Sequence, residues 1–189
     1  MPKTCLIVEG LTDVRLLQKA LPKKILGGLR FFAGQGRISS TSVARNIVVH
    51  EGCPVFVVRD ADTLDSTTAE EANQYTRMLI SHVGGDVLAD VFAFLPELEV
   101  VFFEAPGVLA KLLGRELHQA ELERGLASPK QTIRSLVDPS EPSGQIESLI
   151  SRIDDEAAES LRRGKQLADL IERLRRFLAP KTRSQRSSR

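Results

Sequence analysis

The feature that most limits what this chain can become is a series of short apolar runs set between stretches of helical spacing. Thr4-Cys5-Leu6-Ile7-Val8 carries no charged residue, the pattern of a strand buried on both faces. Leu29 to Ala33 is a second strand candidate, and Val55-Phe56-Val57-Val58 and Val91-Phe92-Ala93-Phe94-Leu95 repeat the uncharged pattern. The third run, β-branched and aromatic throughout, has the strongest strand preference. Between the runs, Thr12 is placed to cap a helix in which Val14, Leu17 and Leu21 recur on one face. Ile38 to Val49 reads as a helix turning Val43, Ala44, Ile47 and Val48 inward, and Thr67 to Val83 as one ended by Gly84-Gly85. Such alternation predicts an α/β fold: a mostly parallel sheet of about four strands flanked by helices.

The second half reads as helical. Ser128-Pro129-Lys130-Gln131 has the form of a helix start, with a Ser cap, Pro at the first helical position and Gln three after the cap. Pro139 to Ser143 is a run of turn residues. Leu167, Leu170, Ile171, Leu174, Phe177 and Leu178 mark a final amphipathic helix. Arg162, Arg163, Lys165, Arg173, Arg175 and Arg176 are assigned to its other face, either solvated or in contact with nucleic acid. The expected division is therefore an α/β domain at 1–105, a helical extension at 106–179 and a basic disordered tail at 180–189.

Composition narrows the class. With 42% hydrophobic residues the 189-residue chain can bury a real core, while a net charge of +1 does not mark the whole molecule as a polyanion binder. Two cysteines, Cys5 and Cys53, cannot build a four-thiolate zinc site and read as reduced core residues. His50, His82 and His118 lack metal-ligand spacing. Neither a membrane span nor a signal-peptide pattern is present in the sequence, which leads us to expect a cytoplasmic protein with no membrane partner.

The chemistry lies where strands end. Glu9 follows the first apolar run directly, Gly10 permits a tight turn, and Asp13 falls at the opening of the next helix. Asp60 and Asp62 follow the third run; residues two apart in an extended segment point to one side. In parallel sheets, sites form at the carboxyl ends of strands. Neighbouring first and third strands would therefore bring four carboxylates together. Four such groups repel one another unless a cation is present, and magnesium suits them because it prefers oxygen ligands and keeps waters that phosphate can displace. Each feature also has a plain structural reading. Glu9 and Asp13 could complement a helix dipole, Asp60 and Asp62 could form a solvated turn, and Lys130 could be an exposed first-turn lysine. Gly34-Gln35-Gly36-Arg37 is either a phosphate-cradling loop or an ordinary turn. Arg37 and Arg59 would hold a nucleic-acid backbone if they face the site, while Arg59 could equally pair with a nearby acid.

Glu9-Gly10-Leu11-Thr12-Asp13 resembles the E-G-x-x-D motif of TOPRIM domains, and Asp60-Ala61-Asp62 resembles their D-x-D motif. The match spans roughly residues 3 to 100, with both motifs in order on strand ends. Pro96-Glu97-Leu98-Glu99 after the fourth run, together with Lys130, is similar to the overcoming-lysogenization-defect (OLD) nuclease branch. The resemblance implies a TOPRIM-like fold and a site binding one or two Mg²⁺ ions, with Mn²⁺ as a substitute. Glu9, Asp13, Asp60 and Asp62 would be ligands, and Glu99, or Glu97 in its place, would bind a second ion. Glu9, Asp60 and Lys130 would be the catalytic set, with Lys130 on the scissile phosphate. Gly34, Gly36, Arg37 and Arg59 would contact nucleic acid, DNA ahead of RNA. OLD nucleases usually carry an ATPase domain; with no Gly-Lys-Ser/Thr phosphate loop in these residues, an ATPase in trans is the expected partner. A role in phage defence or DNA repair would follow. The competing expectation is a non-catalytic regulatory module that binds metal or nucleic acid.

Overall fold

The computed structural model describes residues 3–85, 87–137 and 145–179, with the side chains of Arg37 and Gln145 outside the description. The turn run 139–143 and the basic tail 180–189 therefore lie outside the described residues. Strands β1 (Thr4–Val8), β2 (Leu29–Ala33), β3 (Val55–Asp60) and β4 (Ala89–Phe94) form one sheet in the order β2-β1-β3-β4. Every pairing is parallel. The α/β class and the four-stranded parallel sheet expected from the TOPRIM-like pattern are present.

The apolar runs work because both faces of the sheet are covered. Successive strand residues point to opposite faces, and the core divides accordingly. Leu6, Val8, Phe56, Val58 and Phe94 belong to one cluster, whereas Cys5, Ile7, Val55, Val57 and Val91 belong to the other. The second cluster is closed by α3 (Arg37–Glu51), through Ala44, Ile47 and Val48, and by α4 (Ser66–Gly84), through Ile80. The first is closed by α1 (Leu11–Ala20) and α2 (Lys23–Leu26). It also takes in the C-terminal helices α5 (Val100–Phe103), α6 (Pro106–Leu113), α8 (Pro129–Leu136), α9 (Gln145–Ser151), α10 (Asp155–Leu161) and α11 (Lys165–Leu178). The remaining helix is α7 (Gln119–Ala127). Each fully buried Leu or Phe contributes about 1.5–3 kcal/mol of transfer free energy.

The α11 stripe is as the spacing predicts: Leu167, Leu170, Ile171 and Leu174 are buried, and Phe177 meets the Phe56 ring edge-on at 5.3 Å. The arginine face needs correcting. Arg162 and Arg163 precede α11, and Arg162 donates to the Ala20 and Leu21 carbonyls. Arg173 is an ion-pair partner of Asp90 on β4. Tyr75 is 60% exposed on α4. Cys5 and Cys53 are free thiols, buried and half-buried. No helix among the described residues is long and apolar enough to cross a membrane.

Candidate metal centre

The sheet order creates the location. From β1 the chain passes to β2 on one side and then crosses to β3 on the other, over opposite faces. The loops leaving β1 and β3 therefore diverge and leave a crevice at their carboxyl ends. Glu9 leaves β1 there and Asp60 is the last residue of β3, on the neighbouring strand. The Asp60 N–H donates to Glu9 Oε1 at 3.3 Å.

Local structure fixes the other acids. The Asp13 side chain accepts from the Gly10 N–H at 2.9 Å, which holds it against the strand end. Gly10, not Thr12, occupies the cap position of α1, on an extended backbone that does not demand glycine. Thr12 instead donates its hydroxyl to Glu147 of α9. From the β4–α5 connection come Glu97 and Glu99, and the structure separates their roles. Glu97 Oε2 accepts the Lys130 backbone N–H at 3.0 Å, capping α8 where a Ser128 side-chain cap was expected; Ser128 makes no such bond. Glu99 is 1% exposed, and its Oε2 has no hydrogen-bond partner.

Lys130 ties the centre together. Its Nζ lies 2.6 Å from Asp60 Oδ2 and 3.7 Å from Glu99 Oε2, while Asp60 Oδ1 accepts the Leu98 N–H at 2.9 Å. Burial pushes the Glu99 carboxyl up to about 8 against the pull of Lys130, and the Asp60 charge adds to the rise. Burial, then the Asp60 charge, also raises Asp13 above its usual range. Burial alone would lower the Lys130 ammonium, but Glu99 and Asp60 together hold it above its ordinary value. Glu9, Gly10, Thr12, Asp13, Glu99 and Lys130 line one cleft of about 470 Å³.

Other expected site residues lie elsewhere. Asp62 is exposed on a left-handed backbone (φ 54°), so the strand alternation meant to aim it beside buried Asp60 ends at Asp60. Its N–H donates to the Pro96 carbonyl, and it is not among the cleft-lining residues. Arg59 is 7% exposed and donates to the Asp60 carbonyl and to Thr76 of α4, which closes it to a nucleic-acid backbone. Gly34 and Gly36 form a turn bound to the end of β1: their N–H groups donate to the Val8 and Glu9 carbonyls. A Cβ on Gly34 would lie 2.5 Å from Ser40 Cα, so only glycine fits there. The turn thus supports the backbone of Glu9, with its amides spent on that strand; Arg37 opens α3.

The residues present fit a divalent cation in donor chemistry. Four carboxylates surround the crevice, and the Glu99 oxygen, buried and without a hydrogen bond, is an acceptor that an oxygen-seeking cation would satisfy. They are not drawn into a finished cage: among the described residues no group of three acidic, thiol or imidazole side chains already stands at ligand spacing. Arg134, Ile146 and Glu147 also line the cleft and carried no sequence signal beyond helical position.

No protein-family model matches the chain, and no curated protein matches it significantly. Its fold is similar to solved C-terminal regions of two OLD proteins. The region from Burkholderia pseudomallei is 17% identical over 95% of this chain and 100% of that one, at a TM-score of 0.44. That from Xanthomonas campestris pv. campestris is 14% identical over 93% and 91%, also at 0.44.

Proposed function

We propose that this chain is a divalent-metal-dependent nuclease of the TOPRIM/OLD kind, hydrolysing phosphodiester bonds in DNA, with RNA as the alternative substrate. The observation that carries the reading is the excess of buried acid at the switch point. Asp60 and Glu99 share one lysine, Asp13 stands beside them, and Glu99 keeps an oxygen with no hydrogen bond. An ion pair built only for stability satisfies its lone pairs, because burying an unpaired carboxylate is costly.

Glu9, Asp13, Asp60 and Glu99 would hold one or two Mg²⁺ ions, or Mn²⁺ in their place. Bound metal supplies an activated water and neutralises charge on the cleaved phosphate. Glu9, half-buried and held by the Asp60 N–H, would serve as a ligand or as the general base of the reaction. Lys130 is the cation that can turn from the acids to the phosphate as negative charge develops there. The Glu97 bond to the Lys130 N–H fixes the α8 start from which this side chain reaches. An ATPase is the partner this reading implies, in phage defence or DNA repair.

A second reading, a regulatory module that binds without cutting, is favoured by the Lys130 contact itself, since an ammonium already sits on Asp60. Plasmid DNA and a structured RNA, incubated with Mg²⁺ or Mn²⁺ and either wild type or Glu9→Ala, separate the two. Metal-dependent cleavage lost in the variant supports the nuclease. Binding without cleavage supports the module.

A further inference from the structure

Resting on the reading of the cleft as a phosphodiester site, we infer that Arg134 is a substrate-positioning residue that grips a phosphate next to the one being cut. Two observations lead there. First, Arg134 lines the same cleft as Glu9, Asp13, Glu99 and Lys130. Second, it stands four residues after Lys130 on α8, so both cations rise from one face of one helix, roughly 5–6 Å apart at their Cβ atoms. That is comparable with the step between successive phosphates along a strand.

The two cations are not equivalent. Lys130 is drawn inward onto Asp60 and Glu99, whereas Arg134 is exposed one turn further along the helix. Its platform is firm: Pro129, Thr132 and Ile133 are buried, and Glu97 holds the first turn. The rest of the cleft is acidic, through Glu9, Asp13, Glu99 and Glu147. A polyanion entering it meets repulsion except along the α8 wall. A guanidinium there presents a planar fork that matches phosphate with two parallel hydrogen bonds, which an ammonium cannot do. Arg134 therefore sets where the strand lies, and Lys130 acts at the reacting group.

The test uses the full chain and labelled DNA and RNA oligonucleotides, whichever the wild type binds more tightly. Binding is followed by anisotropy in calcium across a salt series, and cleavage in magnesium. Arg134→Ala should weaken binding and raise KM by about tenfold, leave kcat within about twofold, and reduce the salt slope by about one. Arg134→Lys should keep the slope and lose part of the affinity. Arg175→Ala, which removes an exposed arginine from α11, should change neither. An unchanged slope and affinity in Arg134→Ala, an equal loss in Arg175→Ala, or no binding by the wild type overturns the inference. Wild-type binding without cleavage sinks the nuclease reading alone, and the salt slope still decides Arg134.

Discussion

Two charge clusters lie on the same sheet, one half-buried and one buried, and they are built on opposite plans. On β4, one acid serves two cations: Asp90 receives bonds from Arg173 Nε and Nη2 at 2.8 Å and from Arg77 Nε at 3.2 Å. Its carboxyl also accepts the Val91 N–H, and burial, which would raise its pKa, is outweighed by these partners, so it is held below the usual range. The one loose end there, Arg77 Nη2, is 3.9 Å from Glu70. At the β1/β3 crevice the ratio is reversed, with one lysine for several acids, a Glu99 carboxyl pushed up to about 8 and an oxygen left over. The first cluster gives its acid two cationic partners and ties α4 and α11 to an edge strand. The second is short of positive charge, as expected of a site whose remaining partner arrives from outside.

Exchanging acid for amide in each cluster sharpens the contrast most. Asp60→Asn should lower metal-dependent cleavage about a hundredfold or more, with circular dichroism unchanged. Asp90→Asn should do the reverse. It leaves two arginines short of a partner and should cost about 2–4 kcal/mol in a urea titration, with cleavage by the remaining folded protein intact. A variant pair that fails to separate activity from stability in this way would break the comparison.

The division also explains what could be read from sequence. β1 ends where its apolar run ends, at Thr4–Val8, because burial on both faces leaves no other pattern, and β2 keeps to Leu29–Ala33 as an edge strand with Arg30 exposed. β3 runs on through Arg59 and Asp60, and β4 begins at Ala89 and Asp90. Charged residues weaken a strand signal, and only tertiary partners such as Thr76, Arg77 and Arg173 make them tolerable there. The same boundary divides the site. Glu9, Asp13 and Asp60 were legible because strand-end placement is local. Whether Glu97 or Glu99 faced the crevice depended on which of them α8 required as a cap. Arg134, Glu147 and the Thr12 contact were hidden, since the helices that bring them in lie more than a hundred residues along the chain.

A smaller effect tests the crevice through pH. Glu99 ionises near 4.5 when solvated and near 8 in the fold, so the folded state holds this proton more tightly than the unfolded chain. The resulting stabilisation is fully present below pH 4.5, declines as pH rises and is gone above 8. Glu99→Gln, which mimics the protonated form, should flatten that slope in metal-free protein and make it more stable than wild type at pH 8 by about 1–2 kcal/mol. Chemical denaturation at several pH values checks this. A wild-type profile that rises over the same window would contradict it.

If the crowded acids want a divalent cation, calorimetric titration of Mn²⁺ or Mg²⁺ into metal-free protein detects it directly. Wild type and Asp90→Asn should bind the ion saturably, and Asp60→Asn and Glu9→Ala should not. Heats in the wild type no greater than dilution, or binding that survives both crevice substitutions, would contradict the metal reading.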